Sequence, residues 1–228
     1  MSVADSGDVI PKAVARQRQL AQTGNRGAAA RLAQSLELMA DCAAGLRDWD
    51  GLLAALEESV AVTRTLARAE PELFLLPLGA RLLRLSSALY EAGNVAGAIM
   101  TASEAADVYR RLLAARPKAV GHDLVRALKH LSCGLAVSGD AQAALAAMRE
   151  AVAEHRKLQP LRGPGEEACS LAWSLGLLGI RLRLAGNMDG ARAATAEAIA
   201  LLGHGGPAAE PVFAYLCREY ESLLGPAT

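Results

Sequence analysis

A stretch of sequence that returns at a fixed interval can fold only as a stack of like units, and this chain carries one. The run from Leu82 to Pro117 recurs, altered, on both sides of itself. Advancing 46 positions takes Gly93-Asn94 to Gly139-Asp140, Ala98-Ile99 to Ala144-Leu145, Glu104-Ala105 to Glu150-Ala151, Arg110 to Arg156 and Leu112 to Leu158. Stepping back 46 finds Asp48, Glu58, Arg64 and Pro71, and a step of 47 beyond the third copy gives Gly186-Asn187, Ala191, Glu197 and Ala198. Four copies at one spacing make the chain an array.

Each copy reads as two helices. Leu82, Leu83, Leu85 and Leu89, then Val95, Ile99, Val108 and Leu112, fall mostly three, four or seven residues apart, which places them on one helical face. Between the runs stands Ala-Gly-Asn, a glycine suited to a left-handed helix end and an asparagine able to cap the next helix. One such hairpin cannot bury its apolar face alone, whereas stacked neighbours share a core.

These residues carry a resemblance. The unit resembles a tetratricopeptide repeat (TPR), whose antiparallel helix pairs place small residues where helices cross. With Gly93 set on the turn glycine, the small position of the first helix falls at Ala40, Ser86, Ser132 and Gly179. The alanine of the second helix falls at Ala98, Ala144 and Ala191, and the later small position at Ser59, Ala105, Ala151 and Ala198. The first copy departs, with Leu52 for the alanine and Arg47 for the glycine. The closing prolines Pro71 and Pro117 come about two turns later than in the usual repeat of about 34 residues, so the unit is similar to the long-repeat, kinesin-light-chain-like members found in many bacterial regulatory proteins.

The resemblance covers roughly Arg26 to Leu202. It implies an all-α fold, a right-handed α-α superhelix of about four hairpins with N- and C-terminal capping helices, in one domain over residues 10–225. The repeats are expected at 26–71, 76–117, 121–160 and 166–203. Helices are expected near 26–45, 50–69, 76–91, 96–115, 121–137, 142–158, 166–184 and 189–202, with Pro71, Pro77, Pro117, Pro160, Gly163 and Pro164 in the connectors that stop them. Residues 1–9 read as a flexible end, Pro11 to Gln22 as a short helix over the open end of the array, and 210–224 as a capping helix. Phe213, Tyr215 and Tyr220 offer a homodimer contact as the alternative to a cap.

Twenty-four basic and twenty-four acidic residues cancel, so no bulk field draws the chain to nucleic acid or to an anionic membrane. No uninterrupted apolar run reaches the ~18 residues of a membrane span, since Leu73 to Leu89 is broken by Pro77, Gly79, Arg81 and Arg84. The start lacks a basic, then apolar, secretion signal, and a cytoplasmic protein is expected. Cys42, Cys133, Cys169 and Cys217 stand singly and read as buried free thiols.

In the family the resemblance names, ligands lie along the concave face, on chosen positions of the first helices. Carried over, these are Gln34, Glu37 and Asp41, then Leu83, Ser87 and Tyr90, then Arg126, Lys129 and Cys133, then Trp173, Ile180 and Arg183. The implied groove is acidic at its N-terminal end, apolar and aromatic in the middle and basic beyond. Lys129 is similar to the lysine of the carboxylate-gripping members, but the asparagine they carry four residues later is Cys133 here.

Catalytic groupings are thin. His130 and Cys133 lie one turn apart with no third ligand or orienting acid, while the recurring Glu104, Glu150 and Glu197 read as structural pairs between neighbouring helices. No catalytic residue, metal or cofactor is expected. The resulting reading is a non-catalytic adaptor or scaffold for a protein or peptide. Its alternatives are a ligand- or peptide-sensing regulator acting through a separate partner and, third, an enzyme on a helical scaffold.

Overall fold

The computed structural model describes residues 3–158 and 166–202 together with positions 215, 217 and 218. Among the described residues every regular element is an α-helix: α1 Val3–Gln22, α2 Arg26–Leu46, α3 Trp49–Ala69, α4 Pro71–Glu91, α5 Val95–Leu113, α6 Pro117–Val137, α7 Ala141–Leu158, α8 Glu166–Leu184 and α9 Met188–Leu202. They fall into two compact units, Met1–Leu112 and Leu113–Thr228. The hairpins are α2–α3, α4–α5, α6–α7 and α8–α9, as the repeat spacing requires.

The same local chemistry folds every hairpin turn. The backbone turns left-handed at Gly93, Gly139 and Gly186, with φ of 80°, 90° and 80°, and at Arg47 with φ of 57°. The amide of the following residue then reaches back five residues to close the first helix: Asp48 to Ala43, Asn94 to Leu89, Asp140 to Leu135 and Asn187 to Leu182, at 2.8 to 3.0 Å. That following residue next caps the second helix. The side chains of Asp48, Asn94, Asp140 and Asn187 accept from the amides of Gly51, Gly97, Ala143 and Gly190. Arg47 thus makes the glycine turn without being glycine.

The small positions do what close crossing demands. Ala40, Ser59, Ser132, Ala105, Ala144, Ala151, Ala191 and Ala198 are fully buried. The serines add a bond: Ser86 Oγ donates to the Ala98 carbonyl at 3.0 Å and Ser132 Oγ to Ala144 at 2.8 Å, each tying the two helices of its hairpin. At Gly179 a methyl group would come within 2.5 Å of Thr195 Oγ1, and at Gly79 within 2.7 Å of the buried Tyr109 ring.

Several expected boundaries move. Pro71 and Pro117 do not close hairpins; each opens the next helix at its first turn, where a proline has no intrahelical amide bond to lose. Pro77 lies inside α4 rather than in a connector, so α4 begins at Pro71 and not near residue 76. Helix α1 starts at Val3, well before Pro11, which it contains. The expected connector at 160–164 and loop at 203–207 lie outside the described residues, as does the 210–224 cap apart from helical Tyr215, Cys217 and Arg218. Phe213 and Tyr220, two of the three residues of the expected dimer contact, lie outside them as well.

Helix α4 is long and apolar enough to cross a membrane by length and composition, with half of that window buried. Leu78, Leu82, Leu83, Leu85 and Leu89 account for that apolarity by packing into the core. The expected burial of the cysteines does not hold: Cys42 is exposed and Cys133, Cys169 and Cys217 are half-buried, because they sit at helix edges beside the buried stripe.

Helix α1 is more than a cover. Adding 46 to Arg18, Ala21, Asn25, Leu32 and Glu58 gives Arg64, Ala67, Pro71, Leu78 and Glu104, and the two sets line two equivalent pockets of 440 and 380 Å³. Arg18 grips Glu58 through Nε and Nη2 at 2.8 and 2.6 Å, and Arg64 grips Glu104 in the same way at 2.8 and 2.7 Å. Helix α1 therefore takes the seat of a second helix in a preceding half-repeat.

Candidate functional site

The first-helix positions marked by the sequence divide into those that close on themselves and those that stay open. In the first unit Glu37 and Asp41 stand one turn apart on α2 and face two arginines of α4. Arg84 donates through Nη1 to Glu37 at 2.9 Å and through Nη2 to Asp41. Arg81 Nε lies 3.6 Å from the other Glu37 oxygen, and burial pushes the pKa of this arginine down while Glu37 pushes it back up. Ser59 of α3 also donates to Glu37, at 2.8 Å. The expected acidic end of the groove is thus neutralised from within, and its carboxylates join neighbouring hairpins.

Leu83, expected in the groove, is buried and belongs to the core; the leucine stripe of α4 is broad enough to turn it inward. Ser87 is half-buried, while Tyr90 keeps 43% of its surface exposed. Gln34 is exposed.

In the second unit Arg126 is exposed and paired within its own helix to Asp123 at 2.8 Å. Lys129 and Cys133, one turn apart on α6, are half-buried. Burial lowers the pKa of the Lys129 ammonium, with Cys133 acting in the opposite direction. Burial also lowers that of His130, helped by the charges of Arg126 and Lys129. The partner of Cys133 is Arg181, whose Nη2 lies 3.4 Å from the sulfur and whose Nε donates to Ser132 Oγ at 3.0 Å. Behind them His155 of α7, fully buried, shares a hydrogen bond of 3.0 Å with Ser174 of α8 and meets His122 edge-on at 6.0 Å. Burial, and then the charges of Lys129 and His122, push the pKa of His155 down to about 4.

Trp173 remains 37% exposed, its ring 5.5 Å from that of Tyr215. Tyr215, read as a dimer residue, therefore packs against its own chain. Ile180 is half-buried and Arg183 exposed.

The residues that sequence reasoning missed are the arginines Arg81, Arg84 and Arg181. A signal existed for Arg84, which follows Glu37 by one repeat plus one residue and so stands at a near-equivalent place on the next first helix. Arg181 has no such marker. Among the described residues no group of three or more metal-binding side chains comes together.

No protein-family model and no curated protein matches the chain. Among solved structures it is similar to BtubC (BKLC) from P. vanneervenii, at 13% identity and a TM-score of 0.67 over 94% of this chain and 80% of that one. It is also similar to a kinesin-light-chain-like protein of Podosopora anserina with nearly identical TPR-like repeats, at 16% identity over 84% of this chain and 94% of that one, with a TM-score of 0.49. Hairpin geometry and likeness agree: the fold is all-α, TPR-like and of the long-repeat form.

Proposed function

We propose that this TPR-like chain is a non-catalytic adaptor that holds a protein or peptide along the face of its first helices. The general use of such repeats as interaction scaffolds supports the reading, and one observation carries it: the exposure of Tyr90 and Trp173. In a chain whose aromatic content is only 4%, two large rings stand on first helices with a third or more of their surface in water. Rings of that kind anchor partners at low entropic cost. In the second unit Arg126, Lys129 and Arg183 add positive charge on the first helices, fit for a polar rim. Four free thiols suit the reducing cytoplasm in which we place the protein.

The test is affinity capture from the native cell with the wild type and with Tyr90→Ala and Trp173→Ala, separately and together. A set of proteins retained by the wild type and lost from the double variant, at unchanged thermal stability, is expected. Equal retention by all four proteins removes the first-helix face from the function.

A further inference from the structure

We infer that the pocket between α3, α4 and α5 binds a small organic phosphate, an apolar body carrying one phosphate monoester, with Arg68 and Arg111 as its phosphate ligands. Both arginines stand on second helices, so the site goes beyond the adaptor reading and does not depend on it.

The chain holds two versions of this pocket one repeat apart, and they differ at the rim. The clasp is shared, Arg18 with Glu58 in the first and Arg64 with Glu104 in the second. So is the apolar lining, where Ala21, Leu32 and Val62 are matched by Ala67, Leu78 and Val108. Adding 46 to Gln22, however, gives Arg68, and adding 46 to Thr65 gives Arg111. Two exposed neutral side chains of the first pocket are exposed guanidinium groups in the second.

Charge decides what that change serves. In the first pocket every lining charge is matched, Arg18 by Glu58 and Arg26 by Glu70 at 3.0 Å. In the second, Glu104 is taken by Arg64, and Asp107 by Arg110 at 2.7 Å. Arg68 and Arg111 remain, and no described carboxylate pairs with either. Two positive charges in excess match a phosphate monoester, which carries about −1.5 to −2 at pH 7; a single carboxylate leaves one cation unmatched. The two guanidinium forks come from different helices, α3 and α5, and a phosphate has oxygens enough to accept from both. A helix end does not by itself call for the arginine, because α1 finishes on Gln22, the counterpart of Arg68, with no basic residue in its last turn. Pro71, Leu75, Leu78 and Val108 give the ligand an apolar wall, and a volume of 380 Å³ falls in the range of about 300–1,000 Å³ usual for small-molecule pockets.

The first pocket supplies the variants. Arg68→Gln and Arg111→Thr install the residues it carries at these positions, and the double variant Gln22→Arg, Thr65→Arg makes the reverse exchange. Arg68 and Arg111 are exposed and make no ion pair, so the first two variants cost the fold no contact. Isothermal titration calorimetry with 1-naphthyl phosphate reads binding, with inorganic phosphate and 1-naphthoate as comparison ligands and Arg149→Gln, a like charge change at an exposed position of α7, as control. The wild type and Arg149→Gln are expected to bind one 1-naphthyl phosphate per chain with equal affinity, and Arg68→Gln and Arg111→Thr to bind it about tenfold more weakly or worse at unchanged melting temperature. The reverse double variant is expected to bind two per chain. Absence of binding by the wild type, an equal loss in Arg149→Gln, or full affinity in both Arg68→Gln and Arg111→Thr overturns the assignment. So does a reverse variant that still binds one. Inorganic phosphate binding as tightly as 1-naphthyl phosphate removes the apolar body from the ligand, and 1-naphthoate binding as tightly removes the phosphate; either result also overturns it.

Discussion

Arg47 occupies the left-handed corner that glycine holds in the three later hairpins, and its Cβ makes that corner costly. Replacing it should release strain without touching the core: Arg47→Gly is expected to raise stability by about 1 kcal/mol, read as a higher denaturant midpoint. At Ala144 the opposite holds. The residue is fully buried and its carbonyl accepts from Ser132, so Ala144→Leu is expected to lower stability by about 1–3 kcal/mol through overpacking. His155 links folding to pH. Held near 4 in the folded chain against an ordinary 6.5, it stays neutral while the unfolded chain takes up a proton. Stability contributed above pH 6.5 is therefore lost as pH falls through this window, by on the order of 3 kcal/mol once pH 4 is reached. Chemical denaturation at a series of pH values should show that slope, and His155→Gln should flatten it.

Between helices the recurring bond is the arginine fork on a glutamate. Arg18–Glu58, Arg64–Glu104 and Arg156–Glu197 repeat one pairing, through Nε and Nη2 in the first two and through Nη2 alone in the third, and burial at Arg64 is outweighed by its bond to Glu104, so its pKa rises. Both side chains of that pair are about one third exposed, so solvent screens it. A double-mutant cycle with Arg64→Met and Glu104→Gln should give a coupling of about 0.5–1 kcal/mol that shrinks with added salt. The glutamates of these bridges were legible in the sequence because they recur with the period, and so were the hairpins, the small crossings and the caps. Element starts were less legible. Pro71 and Pro117 punctuate equally well as a stop or as a first turn, and only packing chooses. Helix α1 was legible as a helix but not as a half-repeat, since its kinship with α3 lies in Arg18, Ala21 and the positions around them rather than in a turn motif. Face assignment was the weakest link: Leu83 turns inward and Glu37 is consumed by Arg84, because a long side chain from the next hairpin decides what the outer surface offers.

At the scale of the molecule, what repeats is backbone and what varies is the surface chemistry laid upon it. The turn at Arg47 keeps the shape of its glycine counterparts, and the α6 positions that carry Lys129 and Cys133 stand where α2 carries Glu37 and Asp41. A stack of this kind gains stability from each neighbour it adds. Since Arg18 to Glu58 and Arg64 to Glu104 are the same clasp one register apart, a spliced duplicate of residues 48–93 would arrive with the matching half of a clasp at each junction. The lengthened chain should melt higher than the original, which makes this clasp a ruler for cutting and joining the protein.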